Sequence, residues 1–116
     1  MPEIGGEGNW RTSVHGVSSV YPVIRDWDVE SAQRSPDGDG ASVTLALRSS
    51  DETFAIWPHD FVLRYTVTVG PQLELALEVA NEGGEEMTFE EGLHTYFAVA
   101  DVTKAAVHGL QNRTYL

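Results

Sequence analysis

The chain contains no cysteine, so neither a disulfide framework nor a thiolate metal site is available to it. It also lacks any apolar run near the ~20 residues that a membrane-spanning helix needs. The first nine residues are acidic and glycine-rich, without the basic-then-apolar order of a secretion signal. A cytoplasmic location with no membrane contact is the expectation. Cations are scarce, seven against eighteen carboxylates, for a net charge of −11. Such a chain repels nucleic acid and anionic surfaces at long range, so no nucleic-acid partner is expected. The seven are Arg11, Arg25, Arg34, Arg48, Arg64, Lys104 and Arg113, scattered along the sequence. A phosphorylated ligand would need several of them to converge. No window carries a helical apolar period, and there is neither an internal repeat nor a low-complexity segment.

What is present is the two-residue period of β-strands. In Val43-Thr44-Leu45-Ala46-Leu47-Arg48 the large apolar residues fall on alternate positions. Phe61, Leu63, Tyr65, Val67 and Val69 form a second row, with Val62, Arg64, Thr66 and Thr68 on the other face. Leu73, Leu75, Leu77 and Val79 form a third, opposed by Glu74, Ala76 and Glu78. Alternation of this kind predicts antiparallel strands with one face buried. Turn chemistry separates the rows. Pro36-Asp37-Gly38-Asp39-Gly40 follows a strand near Trp27 to Ala32, and Gly70-Pro71 marks a tight hairpin. Asn81-Glu82-Gly83-Gly84-Glu85 leads into a further strand from about Met87. The predicted fold is all-β, an antiparallel sandwich.

With 116 residues, 41% of them apolar, the chain can bury one modest core. Residues 1–12 read as an N-terminal loop or remnant and residues 13–116 as part of a β-sandwich domain. Strands in this number leave exposed edges, which stable proteins cover. The expectation is therefore a larger domain, or a homo-oligomer or other partner that covers those edges.

Four histidines are candidates for chemistry. His94, in Leu93-His94-Thr95-Tyr96-Phe97, has apolar and aromatic neighbours that keep an imidazole responsive near neutral pH. It reads either as a proton donor or as a satisfied core histidine. His15 precedes Gly16, which permits close approach of a ligand. His59 and His108 read as structural. No histidine pair has the spacing of a metal motif, so no metal is expected. Glu90 and Glu91 precede His94 and are candidates for a base or for a solvated strand face. Trp57, Tyr96, Trp10, Trp27, Tyr65 and Phe97 supply aromatic faces that suit either a sugar or a sandwich core.

The stretch Trp57-Pro58-His59-Asp60-Phe61, then Leu63-Arg64-Tyr65-Thr66-Val67-Thr68, Leu73 to Asn81 and Leu93-His94-Thr95-Tyr96-Phe97, resembles the aldose-1-epimerase family. Within it, the hexose-6-phosphate branch is the most similar. The closing Gly109-Leu110 and Tyr115-Leu116 fit the same order, and His15-Gly16 resembles the family's histidine–glycine motif. The resemblance covers roughly residues 13–116. It implies a galactose mutarotase-like supersandwich, of which this chain would form part, and interconversion of the α and β anomers of a sugar without a cofactor. By resemblance, His94 is the general acid at the ring oxygen, and His15, Trp57 and Tyr96 contact the sugar or sugar phosphate. The family's arginine after the histidine–glycine motif is replaced here by Ser19, and the glutamate that serves as base lies much later in the family's sequence. The alternative implied is a carbohydrate-binding or oligomerising sandwich without the base.

Overall fold

The computed structural model describes residues 12–15, 19–20, 25–93 and 95–114. The chain runs β1 (Thr12–His15), β2 (Ser19–Val20), β3 (Asp28–Arg34), β4 (Ala41–Arg48), α1 (Asp51–Ile56), β5 (Phe61–Val69), β6 (Leu73–Asn81) and β7 (Glu90–Leu93). A single 3-10 turn, Val102–Lys104, follows. The strands form two antiparallel sheets, one ordered β2-β1-β7 and the other β3-β4-β5-β6. The all-β expectation holds, and β4, β5 and β6 coincide with the three alternating rows.

The turns form where their residues demand. Gly38 adopts φ 80° between β3 and β4, a left-handed conformation that costs glycine nothing. Its N–H donates to the Ser35 carbonyl at 2.9 Å, and the Ser35 N–H donates to the Gly40 carbonyl at 2.9 Å. The β5–β6 hairpin closes with the Gly70 N–H donating to the Gln72 carbonyl at 3.1 Å.

Two details depart from the sequence expectation. The first is α1, where no helix is expected. Ser50 caps it: the Thr53 N–H donates to Ser50 Oγ at 3.3 Å while the Ser50 N–H donates to Thr53 Oγ1 at 2.8 Å. Satisfying two helix-end donors reciprocally lets six residues hold a turn and a half that apolar periodicity cannot reveal. The second is β7, which begins at Glu90 rather than near Met87. Met87 and Phe89 are used instead to pack against the core.

That core is small and sits at one end of the four-stranded sheet. Leu47, Trp57, Phe61 and Leu63 form its buried cluster, with Trp27, Leu77, Val79, Met87 and Phe89 packed against it. Register explains the grouping: Leu47, Leu63 and Val79 are successive cross-strand partners on β4, β5 and β6, so they share a face.

The opposite face is polar over most of its length. Thr44 and Thr66 hydroxyls meet at 2.9 Å, and those of Ser42 and Thr68 at 3.1 Å. A bulge between Val29 and Ser31 leaves Glu30 as the extra residue of β3. Glu30 accepts from Arg64 Nε at 2.9 Å and from Arg48 Nη2 at 3.3 Å, while Arg64 Nη1 donates to Glu78 at 2.9 Å. This ladder spans all four strands. The hydrogen bond to Glu30, then that to Glu78, hold the Arg64 guanidinium above its ordinary pKa.

Candidate functional site

The three-stranded sheet gathers the segments on which the chemistry is expected to rest. His15 ends β1, the central strand, where its Cα partners are Ser19 on β2 and Glu90 on β7. At the other end of the same pairing Thr12 is matched with Leu93, the residue before His94 in sequence. His94 itself lies outside the described residues. Three residue steps along β1 separate the Thr12–Leu93 pair from the His15–Glu90 pair, roughly 10 Å along an extended strand. The strand that ends at His15 and the strand leading to His94 are thus hydrogen-bonded neighbours, although about 75 residues of sequence separate His15 from its partner Glu90.

The expected sugar-contacting aromatics fall into different settings. Trp57 is the C-cap residue of α1 and is only 7% exposed. Its ring packs edge-on against His59, centroids 4.9 Å apart, and tilted against Phe61 at 5.4 Å. Those contacts place Trp57 within the hydrophobic cluster. Tyr96 is 77% exposed on the segment after β7, and the neighbouring Phe97 is exposed as well. Glu90 and Glu91, on β7, are both exposed to solvent. The structure therefore pairs His15 with Glu90 across adjacent strands, leaves Tyr96 open to solvent, and holds Trp57 inside.

Helix α1 touches β2, so Ser19 and the Arg25 neighbourhood flank the same sheet. Arg25 is largely buried and pairs with Glu52 of the first turn of α1 through Nη1 at 2.7 Å. Its Nε is buried with no acceptor among the described residues. Asp26 and Asp28 follow it closely in sequence, and Asp51 precedes Glu52 in the first turn of α1. Arg48 and Arg64 are committed to the ladder, and Lys104 pairs with Asp101 at 3.5 Å. Sequence reading identified Arg25 as one of seven scattered cations; its burial beside α1 had no local signature.

His59 is half-buried against Trp57, and its backbone N–H donates to the Trp57 carbonyl at 2.8 Å. His108 is exposed on the segment after the 3-10 turn. No group of three or more potential metal ligands occurs among the described residues. No helix there is long and apolar enough to cross a membrane.

Comparison with known proteins gives a consistent result. A family model described as aldose 1-epimerase matches residues 7–115. A protein of Escherichia coli strain K12, provisionally named a glucose-6-phosphate 1-epimerase, is 37% identical over 112 residues, covering 97% of this chain and 35% of its own. One of Cenchrus ciliaris with the same provisional name is 38% identical over 80 residues, 66% of this chain and 24% of its own. A Salmonella typhimurium protein so named is 38% identical over 99 residues, 85% of this chain and 30% of its own. The chain thus spans about a third or less of the length of these curated relatives. No solved structure matches it.

Proposed function

Because the chain belongs to the aldose 1-epimerase family, we propose that it serves to interconvert the α and β anomers of an aldohexose 6-phosphate by acid–base opening of the sugar ring. The observation that carries this reading is the β1–β7 pairing, which makes the His15 strand and the strand leading to His94 neighbours in one sheet. A hemiacetal needs a proton delivered at the ring oxygen and a proton withdrawn from the anomeric hydroxyl. Two chemistry-bearing segments side by side suit that demand.

In this reading His94 donates its proton to the ring oxygen as the C1–O5 bond breaks. A carboxylate takes the proton from the C1 hydroxyl, leaving an aldehyde at C1. Rotation about C1–C2 presents the other carbonyl face, and the two proton transfers then run in reverse to close the opposite anomer. No electrons leave the sugar, so the chemistry calls for no redox partner. His15 contacts the sugar beside the reacting oxygen. Tyr96 offers an exposed ring face to the C–H-rich side of the sugar. Glu90, the cross-strand partner of His15, and Glu91 are the carboxylates of this chain nearest in sequence to His94. The hexose 6-phosphate assignment draws on the names of the relatives.

A second reading is binding without turnover. Ser19 stands where the family's arginine is expected, and Arg25, Arg48, Arg64 and Lys104 are each engaged with a carboxylate. Magnetisation-transfer NMR of glucose 6-phosphate anomers separates the two. Turnover predicts exchange above the spontaneous rate that falls about 10²- to 10⁴-fold in His94→Ala. Sugar-induced shifts without faster exchange would support binding alone. Exchange unchanged by His94→Ala would refute the assignment of the acid.

A further inference from the structure

The three-stranded sheet sorts its polar residues by register. Its central strand is β1, with β2 on one side and β7 on the other. His15 is matched with Ser19 of β2 and Glu90 of β7, while Val14 is matched with Val20 and Glu91. Cross-strand partners in an antiparallel sheet share a face, with Cβ atoms about 4.5–5.5 Å apart, and successive residues alternate faces. Ser19, His15 and Glu90 therefore form one polar row across all three strands, and Val20, Val14 and Glu91 form a row on the other face. Toward Leu93, the next row on the His15 face pairs Ser13 with Gly92. Glycine has no side chain and serine a short one, so this row leaves room between the His15–Glu90 row and the end of β7 that leads to His94. Glu90 is also uncommitted. Among the described residues Arg25, Arg48, Arg64 and Lys104 pair with Glu52, Glu30, Glu78 and Asp101 instead.

We propose that Glu90 is a positioning residue for His15, its carboxylate accepting from one imidazole N–H so that the other ring nitrogen is free to meet the sugar. A glutamate is long enough to span the gap between cross-strand partners. The bond a histidine makes through one nitrogen sets the tautomer and direction of the other. A carboxylate beside the ring also favours the imidazolium, which donates from both nitrogens. The purpose of this pairing rests on the reading of His15 as a sugar contact; the pairing itself does not. It commits Glu90 to His15 instead of to the anomeric hydroxyl, while register puts Glu91 on the other face, opposite Val14. Two glutamates adjacent in sequence thereby take unequal roles. From the strands paired with β1, no other titratable group among the described residues shares the His15 row: β2 brings Ser19 and β7 brings Glu90. Helix α1, which touches β2, carries Asp51 and Glu52, the latter held by Arg25.

Titration of the four histidines of the full chain by proton–carbon correlation NMR tests the pairing without any sugar, with His15→Gln to assign the His15 resonance. Glu90→Gln removes the charge that favours the imidazolium, so the His15 midpoint should fall by about one pH unit. Glu91→Gln, on the other face, should leave that midpoint nearly unchanged. Should Glu90→Gln not fold, Glu90→Thr removes the same charge with a residue suited to a strand. No fall in the folded Glu90 variant, or an equal fall in Glu91→Gln, would overturn the proposal. Failure of the epimerase reading is separate, because a chain without anomer exchange still reports the His15 midpoint. Where exchange is measured, Glu90→Gln should raise KM more than it lowers kcat. A loss in kcat of about 10²-fold or more would make Glu90 the base and overturn its positioning role.

Discussion

Leu63 and Val69 lie on the same strand and the same face of the sheet, yet one is sealed and the other open, and truncating each to alanine should separate these environments. Leu63 is 1% exposed between its cross-strand partners Leu47 and Val79. Leu63→Ala removes three carbons, about 2.4 kcal/mol of transfer free energy at ~0.8 kcal/mol per methylene. The cavity left among Leu47, Phe61 and Val79 adds to that, for about 3 to 4 kcal/mol in all. Val69 is 55% exposed beside the hairpin, so Val69→Ala forfeits two carbons already half in water, about 0.7 kcal/mol. Lower strand propensity adds a few tenths, leaving an expected gap of about 2 to 3 kcal/mol. Urea unfolding followed by tryptophan fluorescence measures both, with Trp57 in the core as reporter. A difference under about 0.5 kcal/mol, the scatter of ordinary surface substitutions, would refute the claim that the core ends between these two positions.

Two further predictions concern the backbone and the titration of the sheet. A Cβ added at Gly40 would overlap the backbone oxygen of Val69, whose residue pairs with Ala41 at the end of the β4–β5 ladder. Gly40→Ala should cost about 3 kcal/mol of stability by forcing those strands apart. Gly84→Ala meets nothing within contact distance; equal effects of the two in chemical denaturation would count against this. Burial raises the Tyr65 phenol above its ordinary value of 10.0. The folded state therefore holds this proton more tightly than the unfolded state. Its contribution to stability is fully present below the unfolded pKa and is lost as pH rises through the folded one. The decline of stability above pH ~10 should be shallower in Tyr65→Phe; an unchanged profile would show that Tyr65 does not titrate in this window.

Much of the sheet is legible because strand periodicity is a local property. The rows from Val43, Phe61 and Leu73 alternate so regularly that β4, β5 and β6 follow from side-chain order, and Gly70-Pro71 marks their hairpin. Helix α1 escapes the same reading because its stability lies in a reciprocal Ser50–Thr53 cap, not in an apolar stripe. The bulge at Glu30 escapes it too. One extra residue leaves the composition of β3 unchanged while bringing Glu30 within reach of Arg48 and Arg64.

The candidate site divides along the same line. His15-Gly16 and the Leu93-to-Phe97 segment are recognisable as short motifs, because residue type and immediate neighbours carry their chemistry. That Glu90 stands opposite His15 is a matter of strand register between segments far apart in sequence. Trp57 shows the converse: an indole beside proline and histidine suits a sugar platform or a core equally well, and packing against His59 and Phe61 puts it in the core. By itself the sequence determined the three long strands β4, β5 and β6, the turns between β3 and β4 and between β5 and β6, the acidity and the family, all set by neighbouring residues and their order. Only the tertiary structure decided where along the apolar face the core is sealed and where it stays open, because burial depends on what distant segments bring to cover it.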